Sequence, residues 1–293
     1  RQAGRLLNYC WFRCVIGCWC ATATACEEGK NMRNAVLDKL ADDLAAAWPN
    51  PAQPVKLTRD MFPLDRAEAY DVQDQMHLLL GQGLAGWKVG ATSQKMRELD
   101  GHDDVIPGRI FATRSYVGPK HDLLISDFPN ARVETEFAFR LVEAPVMRRT
   151  PWTAAELVPM MTLHPAIEII GNRYIVEDAS KAENSLLTIA DNGGGMAFVF
   201  GYEVKDWQGT DFQNHSISLS VSGADAAENF LGEMRCVPAE AVADLVNHLA
   251  ARGYELAAGD FVSTGAATVP QPFVAGDNVI ADFGSLGIIE LQF

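Results

Sequence analysis

The chain has 293 residues and a formal net charge of −14, with a sequence pI near 4.8. This length suits one large domain with an appendage or two modest ones, and 48% hydrophobic with 21% charged residues is ordinary for a globular protein. An acidic body without a long basic run argues against nucleic acid or anionic membrane as a partner, and the lack of about 18 consecutive uncharged apolar residues argues against a transmembrane helix. An anionic substrate would therefore need cations concentrated locally, as Lys, Arg or a bound metal.

The chain opens on a cysteine cluster, Cys10, Cys14, Cys18, Cys20 and Cys26, whereas only Cys236 lies in the remainder. Without a His or a Cys-x-x-Cys pair the cluster is a poor zinc site. Arg1 and Arg5 before apolar residues resemble a signal peptide, but Arg13 interrupts the apolar run. Residues 1–31 are read as a leader outside the fold, disordered or artefactual, with Met32 as the natural start. The cysteine-poor remainder points to a reducing compartment, hence the cytoplasm.

From Asn34 to Trp48, Val36, Leu37, Leu40, Leu44 and Ala47 follow helical spacing, and Pro49, Pro51 and Pro54 end the run. A second helix is expected over 65–80, with Ala69, Val72, Met76 and Leu79 on one face and Gly81 and Gly83 as its stop. These two form a helical region over 32–85. From residue 86 onward the texture changes to short runs between Gly, Pro, Asn and Asp, predicting strands near 86–90, 122–126, 132–142, 165–171, 196–203, 215–222, 259–264, 278–282 and 286–293. Helices are expected only near 153–163 and 238–252. Many strands with few crossover helices predict an α+β core over 86–293, not a doubly wound sheet.

The run Arg132-Val133-Glu134-Thr135-Glu136-Phe137-Ala138-Phe139, read as a strand, places Glu134 and Glu136 on one face with small Ala138. Two neighbouring carboxylates repel unless a cation lies between them, although a solvated polar face gives the same alternation. Pro165-Ala166-Ile167-Glu168-Ile169-Ile170 is an apolar strand with one embedded acid, costly unless paired, coordinated or placed at an edge. Were Glu168 to converge on Glu134 and Glu136, the three would make an all-oxygen site for a hard cation such as Mg²⁺ or Mn²⁺. Lys88, in Gly86-Trp87-Lys88-Val89-Gly90, is either a snorkelling surface lysine or a proton carrier with a depressed pKa. Asp191-Asn192-Gly193-Gly194-Gly195 reads as a tight turn without dinucleotide spacing, and Ser263-Thr264-Gly265 as a strand end that backbone can bring close to a ligand. No Gly-x-Ser-x-Gly elbow or His-Glu-x-x-His pair occurs, which disfavours serine nucleophiles and zincin chemistry.

The order of these motifs resembles the 2-keto-4-pentenoate hydratase / 4-oxalocrotonate decarboxylase family of the fumarylacetoacetate hydrolase superfamily. The residues that carry it are Ala69-Tyr70-x-Val72-Gln73, Gly86-Trp87-Lys88-Val89-Gly90, Glu134-x-Glu136-x-x-Phe139, Pro165-Ala166-x-Glu168-Ile169, Arg173 and Ala190-Asp191-Asn192. Gly253-x-x-Leu256-x-x-Gly259-Asp260-x-Val262-x-Thr264-Gly265 completes the series, which runs from about residue 33 to the end. The resemblance implies a mixed β-roll with a small N-terminal helical appendage and a homo-oligomer, with a complex with a related decarboxylase or hydratase as a further option. It also implies Mg²⁺ or Mn²⁺ held by Glu134, Glu136 and Glu168. The implied reaction is hydration of a 2-hydroxy-2,4-dienoate to a 4-hydroxy-2-oxo acid in aromatic-compound breakdown. Lys88 would move protons, Arg173, Asp191, Asn192, Thr264 and Gly265 would meet substrate, and Arg173 could instead orient Glu168.

Two positions depart from the family pattern. Ile106 stands two residues before Gly108 where many hydratases have Asp, with Asp103 and Asp104 as nearby substitutes, and three glycines follow Asp191-Asn192 where small polar residues are usual. Both touch the acid/base side and not the metal side. A 4-oxalocrotonate-type decarboxylase and a non-catalytic partner subunit are therefore the alternatives, whereas a carbon–carbon hydrolase lacks its His-Glu pair.

Overall fold

A computed structural model describes residues 29–293. The expectation for a leader over 1–31 lies outside the described residues except for its last three positions, which begin helix α1 (29–47). The helical periodicity holds: Leu37, Leu40, Ala41, Leu44, Ala47 and Trp48 are buried. After the short β1 (Val55–Lys56) comes α2 (Arg66–Leu80), capped by the Asp65 carboxylate at its start and by Gly81 in the left-handed region at its end. Its buried face is Ala69, Tyr70, Val72, Gln73 and Met76, whereas Leu79, expected there, is exposed.

The strands that follow are β2 (Leu84–Gly90), β3 (Ile106–Phe111), β4 (Ser115–Val117), β5 (Lys120–Asp122) and β6 (Arg132–Leu141). Then come β7 (Met161–Ile170), β8 (Tyr174–Ile175), β9 (Gly195–Phe200), β10 (Ser218–Val221) and β11 (Phe261–Ala266). The last three are β12 (Gln271–Pro272), β13 (Asn278–Asp282) and β14 (Ile288–Gln292). Between them lie α3 (Gln94–Asp100), α4 (Ala154–Leu157), α5 (Lys181–Ala190) and α6 (Pro238–Ala251).

The differences from expectation have local causes. The helix predicted over 153–163 stops at Leu157, passes through a 3-10 turn and enters β7 at Met161. The strand expected near 122–126 sits three residues earlier, at β5, with a 3-10 turn over Ile125–Asp127. β3 contains Pro107 and Gly108, which read as loop signals; Pro is tolerated because β3 ends the strand order of its sheet. The helix α5 was unexpected although Ser180 and Glu183 form a reciprocal capping box at its start.

The main sheet is mixed, in the order β3-β2-β11-β6-β7-β9-β4, with β12 added to β6. It curls until β3 lies against β9, five positions away in the strand order. Period-two alternation then separates two environments. The outer face, with Trp87, Val89, Val133, Phe137, Phe139, Ile167, Ile169 and Val262, packs in the largest core together with α6 and the second sheet, β10-β13-β14-β5. The inner face carries Ile110, Ala138, Ala166, Phe198, Phe200 and Phe261 as an apolar plug. The N-terminal helices share a third core with Ile106 and Phe111 of β3 and Leu187, Ile189 and Ala190 of α5. Buried Gln73 joins the same elements, donating to the carbonyls of Pro107 and Ile189. Among the described residues no helix is long and apolar enough to cross a membrane.

Candidate metal centre and its cavity

The inner face that holds the apolar plug also holds the acids. β6 and β7 pair antiparallel with Glu134 directly opposite Glu168 and Glu136 opposite Ala166. All three carboxylates are buried, each offering one oxygen within 4.8 Å of the others. Facing small Ala166 leaves Glu136 room to turn toward the other two. It accepts hydrogen bonds from the Ser263 hydroxyl and from Gly265 N–H at 3.0 Å. The latter is delivered by the register shift between Ser263 and Ala266 in the β11–β6 ladder.

The electrostatics are unbalanced. Both oxygens of Glu168 are buried and neither accepts a hydrogen bond among the described residues. Burial, with the Glu136 charge adding and Lys88 opposing, pushes Glu134 up to about 8. Burial likewise lifts Glu168 well above the usual carboxylate range, with Lys88 opposing and the other two acids adding. Unsatisfied carboxylates crowded in a low dielectric are costly unless a cation joins them. An all-oxygen donor set of this kind, with both Glu168 oxygens free of hydrogen bonds, fits a hard divalent cation.

Lys88 projects from β2, which lies between β3 and β11. Its Nζ donates to the Gly193 carbonyl at 2.9 Å and stands 3.4 Å from Glu168 Oε1. Burial alone would depress its pKa, but Glu168, Glu136 and Glu134 together outweigh burial and raise it. This direction, set by burial and the acids alone, is opposite to the depression expected beside a metal. Two of the three glycines after Asn192 are explained by close approach, and Gly194 has φ 77°. Gly193 has φ 68°, and a Cβ there would lie 3.2 Å from Lys88 Cδ. A Cβ at Gly195 would lie 3.0 Å from Glu168 Oε1.

A cavity of about 350 Å³ opens over this group, and its walls include Lys88, Glu134, Glu136, Gly193 and Gly265. Ile106, Met96, Phe230 and Met234 make an apolar side, whereas Thr92, Asp100, His102 and Cys236 add polar atoms. Four residues expected to meet substrate, Arg173, Asp191, Asn192 and Thr264, do not line this cavity. Arg173 Nε pairs with Asp191 Oδ1 at 2.6 Å, and its other nitrogens donate to the Asp191 and Gly195 carbonyls. Arg173 makes no hydrogen bond to Glu168, and its guanidinium lies 4.2 Å from the ring centre of Trp48. Asn192 exchanges two hydrogen bonds with the backbone of Arg109, which ties the glycine turn to β3. The Thr264 hydroxyl donates to Phe137 O at 2.6 Å, on the opposite face from Ser263. Ser263, His102 and the glycine carbonyl that holds Lys88 escaped sequence reasoning. Ser263 is adjacent to Thr264 in the motif, but only the β2–β11–β6 register, which aligns Lys88, Ser263 and Ala138, selects it.

No model of a known protein family matches the chain. Among curated proteins, it is 26% identical over 246 residues to the 4-oxalocrotonate decarboxylase of Pseudomonas sp. (strain CF600), covering 81% of this chain and 89% of that protein. It is 27% identical over 254 residues to the 2-hydroxyhexa-2,4-dienoate hydratase of Comamonas testosteroni, covering 82% and 93%. Among solved structures it resembles the 4-oxalocrotonate decarboxylase of Pseudomonas putida G7, complexed with magnesium and adipate and, separately, with calcium and acetate. The TM-score is 0.74 in both cases, at 24% and 25% identity, covering 89% of this chain and 98% of that one.

Proposed function

We propose that this chain is a divalent-metal-dependent lyase that hydrates a 2-hydroxy-2,4-dienoate of the 2-keto-4-pentenoate type to a 4-hydroxy-2-oxo acid in aromatic-compound breakdown. The observation that carries the reading is the convergence of Glu134, Glu136 and Glu168, the last accepting no hydrogen bond, beside Lys88, with Lys88, Glu134 and Glu136 lining the cavity. Relatives named 2-hydroxyhexa-2,4-dienoate hydratase and 2-keto-4-pentenoate hydratase support the reaction class. Glu134, Glu136 and Glu168 would hold Mg²⁺ or Mn²⁺, which when bound would supply a Lewis acid that stabilises negative charge on a substrate oxygen.

The remaining chemistry falls to the chain. The dienol gives up its 2-hydroxyl proton and gains one at C5, leaving a 2-oxo-3-ene; water then bonds at C4 and a proton is added at C3. Lys88 Nζ, fixed by the Gly193 carbonyl, holds and moves a proton beside the acids. Ser263 and Gly265 N–H orient Glu136. Arg173, Asp191 and Asn192 act through the glycine turn, and Thr264 through β6. The apolar side formed by Ile106, Phe230 and Met234 excludes bulk water from the diene.

The finer architecture belongs to the same proposal: a β-roll over 86–293 with a helical appendage over 32–85, assembled as a homo-oligomer in the cytoplasm. Decarboxylation of 4-oxalocrotonate is the second reading, favoured by the decarboxylase relatives, because a cation that stabilised charge on a 2-oxo acid would serve the loss of CO₂ as well as the addition of water. The deciding experiment offers 2-hydroxypentadienoate and 4-oxalocrotonate to the purified protein, with Mn²⁺ and with a chelator. Mn²⁺-dependent loss of the dienoate chromophore supports hydration, CO₂ release from 4-oxalocrotonate supports the second reading, and no turnover of either despite bound Mn²⁺ rejects both.

A further inference from the structure

Adding water to a diene requires proton movements at more than one atom, and Lys88 is tethered on the acid side of the cavity by Gly193 O and Glu168. The cavity wall contains one imidazole, His102. We propose, resting on the hydratase reading above, that His102 is the second proton-transfer group of this site and takes the proton from the water that adds to the 2-oxo-3-ene. The water oxygen bonds to C4 and its proton passes to His102 Nε2. The C3–C4 π pair shifts toward the 2-oxygen as an enolate, and protonation of C3 completes the addition, with the proton held by His102 balancing it.

The imidazole is built in. Gly101 caps α3 in the left-handed region, and the N–H groups of Gly101 and His102 both return to the Arg97 carbonyl, at 2.9 and 3.0 Å. Lys181 of α5 donates to the Leu99 carbonyl and locks the end of α3 to α5. Nδ1 of His102 lies 2.7 Å from the Ser185 hydroxyl of α5, whereas Nε2 has no hydrogen-bond partner among the described residues. A ring oriented through one nitrogen with the other left free is the arrangement that proton transfer requires. Other polar groups in the wall are less suited: the Cys236 thiol is pushed up to about 11 by burial, and Thr92, Ser93 and Thr188 offer only hydroxyls.

The charged groups facing His102 are Asp100 and Asp103 on its own turn, Arg66 of α2 and Lys88 of β2. Burial first, then the two cations, depress its pKa against the two acids, so the neutral, proton-accepting form dominates near neutrality. Asp103 and Asp104, the nearby acids considered from sequence, do not line the cavity; His102 and Asp100 do.

The test measures Mn²⁺ affinity by calorimetry and dienoate hydration against pH for the wild type, His102→Asn, His102→Ala and Ser185→Ala. His102→Asn is expected to lower kcat by roughly 10²-fold or more, with KM and Mn²⁺ affinity within about threefold, and to remove the acidic limb of the pH profile. Added imidazole should restore part of the rate of His102→Ala, and Ser185→Ala should lower kcat without moving Mn²⁺ affinity. Should both His102 variants misfold, a wild-type rate in Ser185→Ala would itself count against the proposal. His102→Asn turning over like the wild type, with an unchanged pH profile, overturns it while leaving the hydratase reading intact. A wild type that binds Mn²⁺ yet does not hydrate the dienoate overturns that reading, and this inference with it.

Discussion

Glu168 is electrostatically costly: a buried carboxylate beside two others, 3.4 Å from an ammonium with which it makes no hydrogen bond. Two opposite consequences follow from neutralising it. Glu168→Gln removes a ligand charge, so Mn²⁺ binding should drop below detection in a calorimetric titration. It also removes an unsatisfied buried charge, so the metal-free variant should be more stable than the metal-free wild type, by about 1–3 kcal/mol in urea melts. Unaltered Mn²⁺ affinity would remove Glu168 from the site. Lys88→Met should retain Mn²⁺ yet lose roughly 10²–10⁴-fold in kcat; wild-type turnover by that variant would take Lys88 out of the chemistry.

At the scale of elements, the turn over 191–195 does more than reverse the chain. Asn192 staples it to β3, the Arg173–Asp191 pair anchors it from behind, and its Gly193 carbonyl fixes Lys88. Asn192→Ala removes two buried hydrogen bonds and leaves the Arg109 backbone unpaired, a cost of about 1–3 kcal/mol. Its kcat should fall more than its KM rises, since the damage is to the orientation of Lys88. An Asn192→Ala enzyme with wild-type kcat would show that the staple serves stability alone. The helix α5 leads into this turn and carries Ser185. Breaking its capping box with Ser180→Ala should cost about 1 kcal/mol, readable as a lower urea midpoint with an unchanged denaturant slope.

Across the whole molecule, the acid cluster links stability to pH. Glu134 in the folded protein titrates at about 8, against an ordinary value of 4.5, so between these limits the folded state binds more protons than the unfolded one. Stability of the metal-free protein must then fall as pH rises through that window, by roughly 3 kcal/mol between pH 5.5 and 8 from this group alone. The shift of Glu168 has the same direction and adds to the loss. Saturating Mn²⁺ should flatten the curve, because coordination favours the ionised acids. Melts at the two pH values, with chelator and with Mn²⁺, check this; a metal-free protein that gains stability toward pH 8 would contradict the buried cluster.

What the sequence by itself determined is the local part. Period-two alternation put Glu134 and Glu136 on one strand face, the apolar run around Glu168 marked an acid that needs a partner, and 3.6-residue periodicity placed α1, α2 and α6. These follow from backbone geometry within a few residues, which the chain carries everywhere. Only the tertiary structure decided which acids meet and what surrounds them. The pairing of Glu134 with Glu168 and the alignment of Lys88 with Ser263 join residues from 34 to 175 positions apart, and nothing in the spacing along the chain encodes that register. The same holds for Arg173, Asp191 and Thr264: their identity suggested ligand contacts, but whether a side chain reaches the cavity or a neighbouring carbonyl depends on the curl of the sheet. β3 was hidden because Pro107 and Gly108 mimic a loop, and burial by α2, α5 and the glycine turn overrode that local preference.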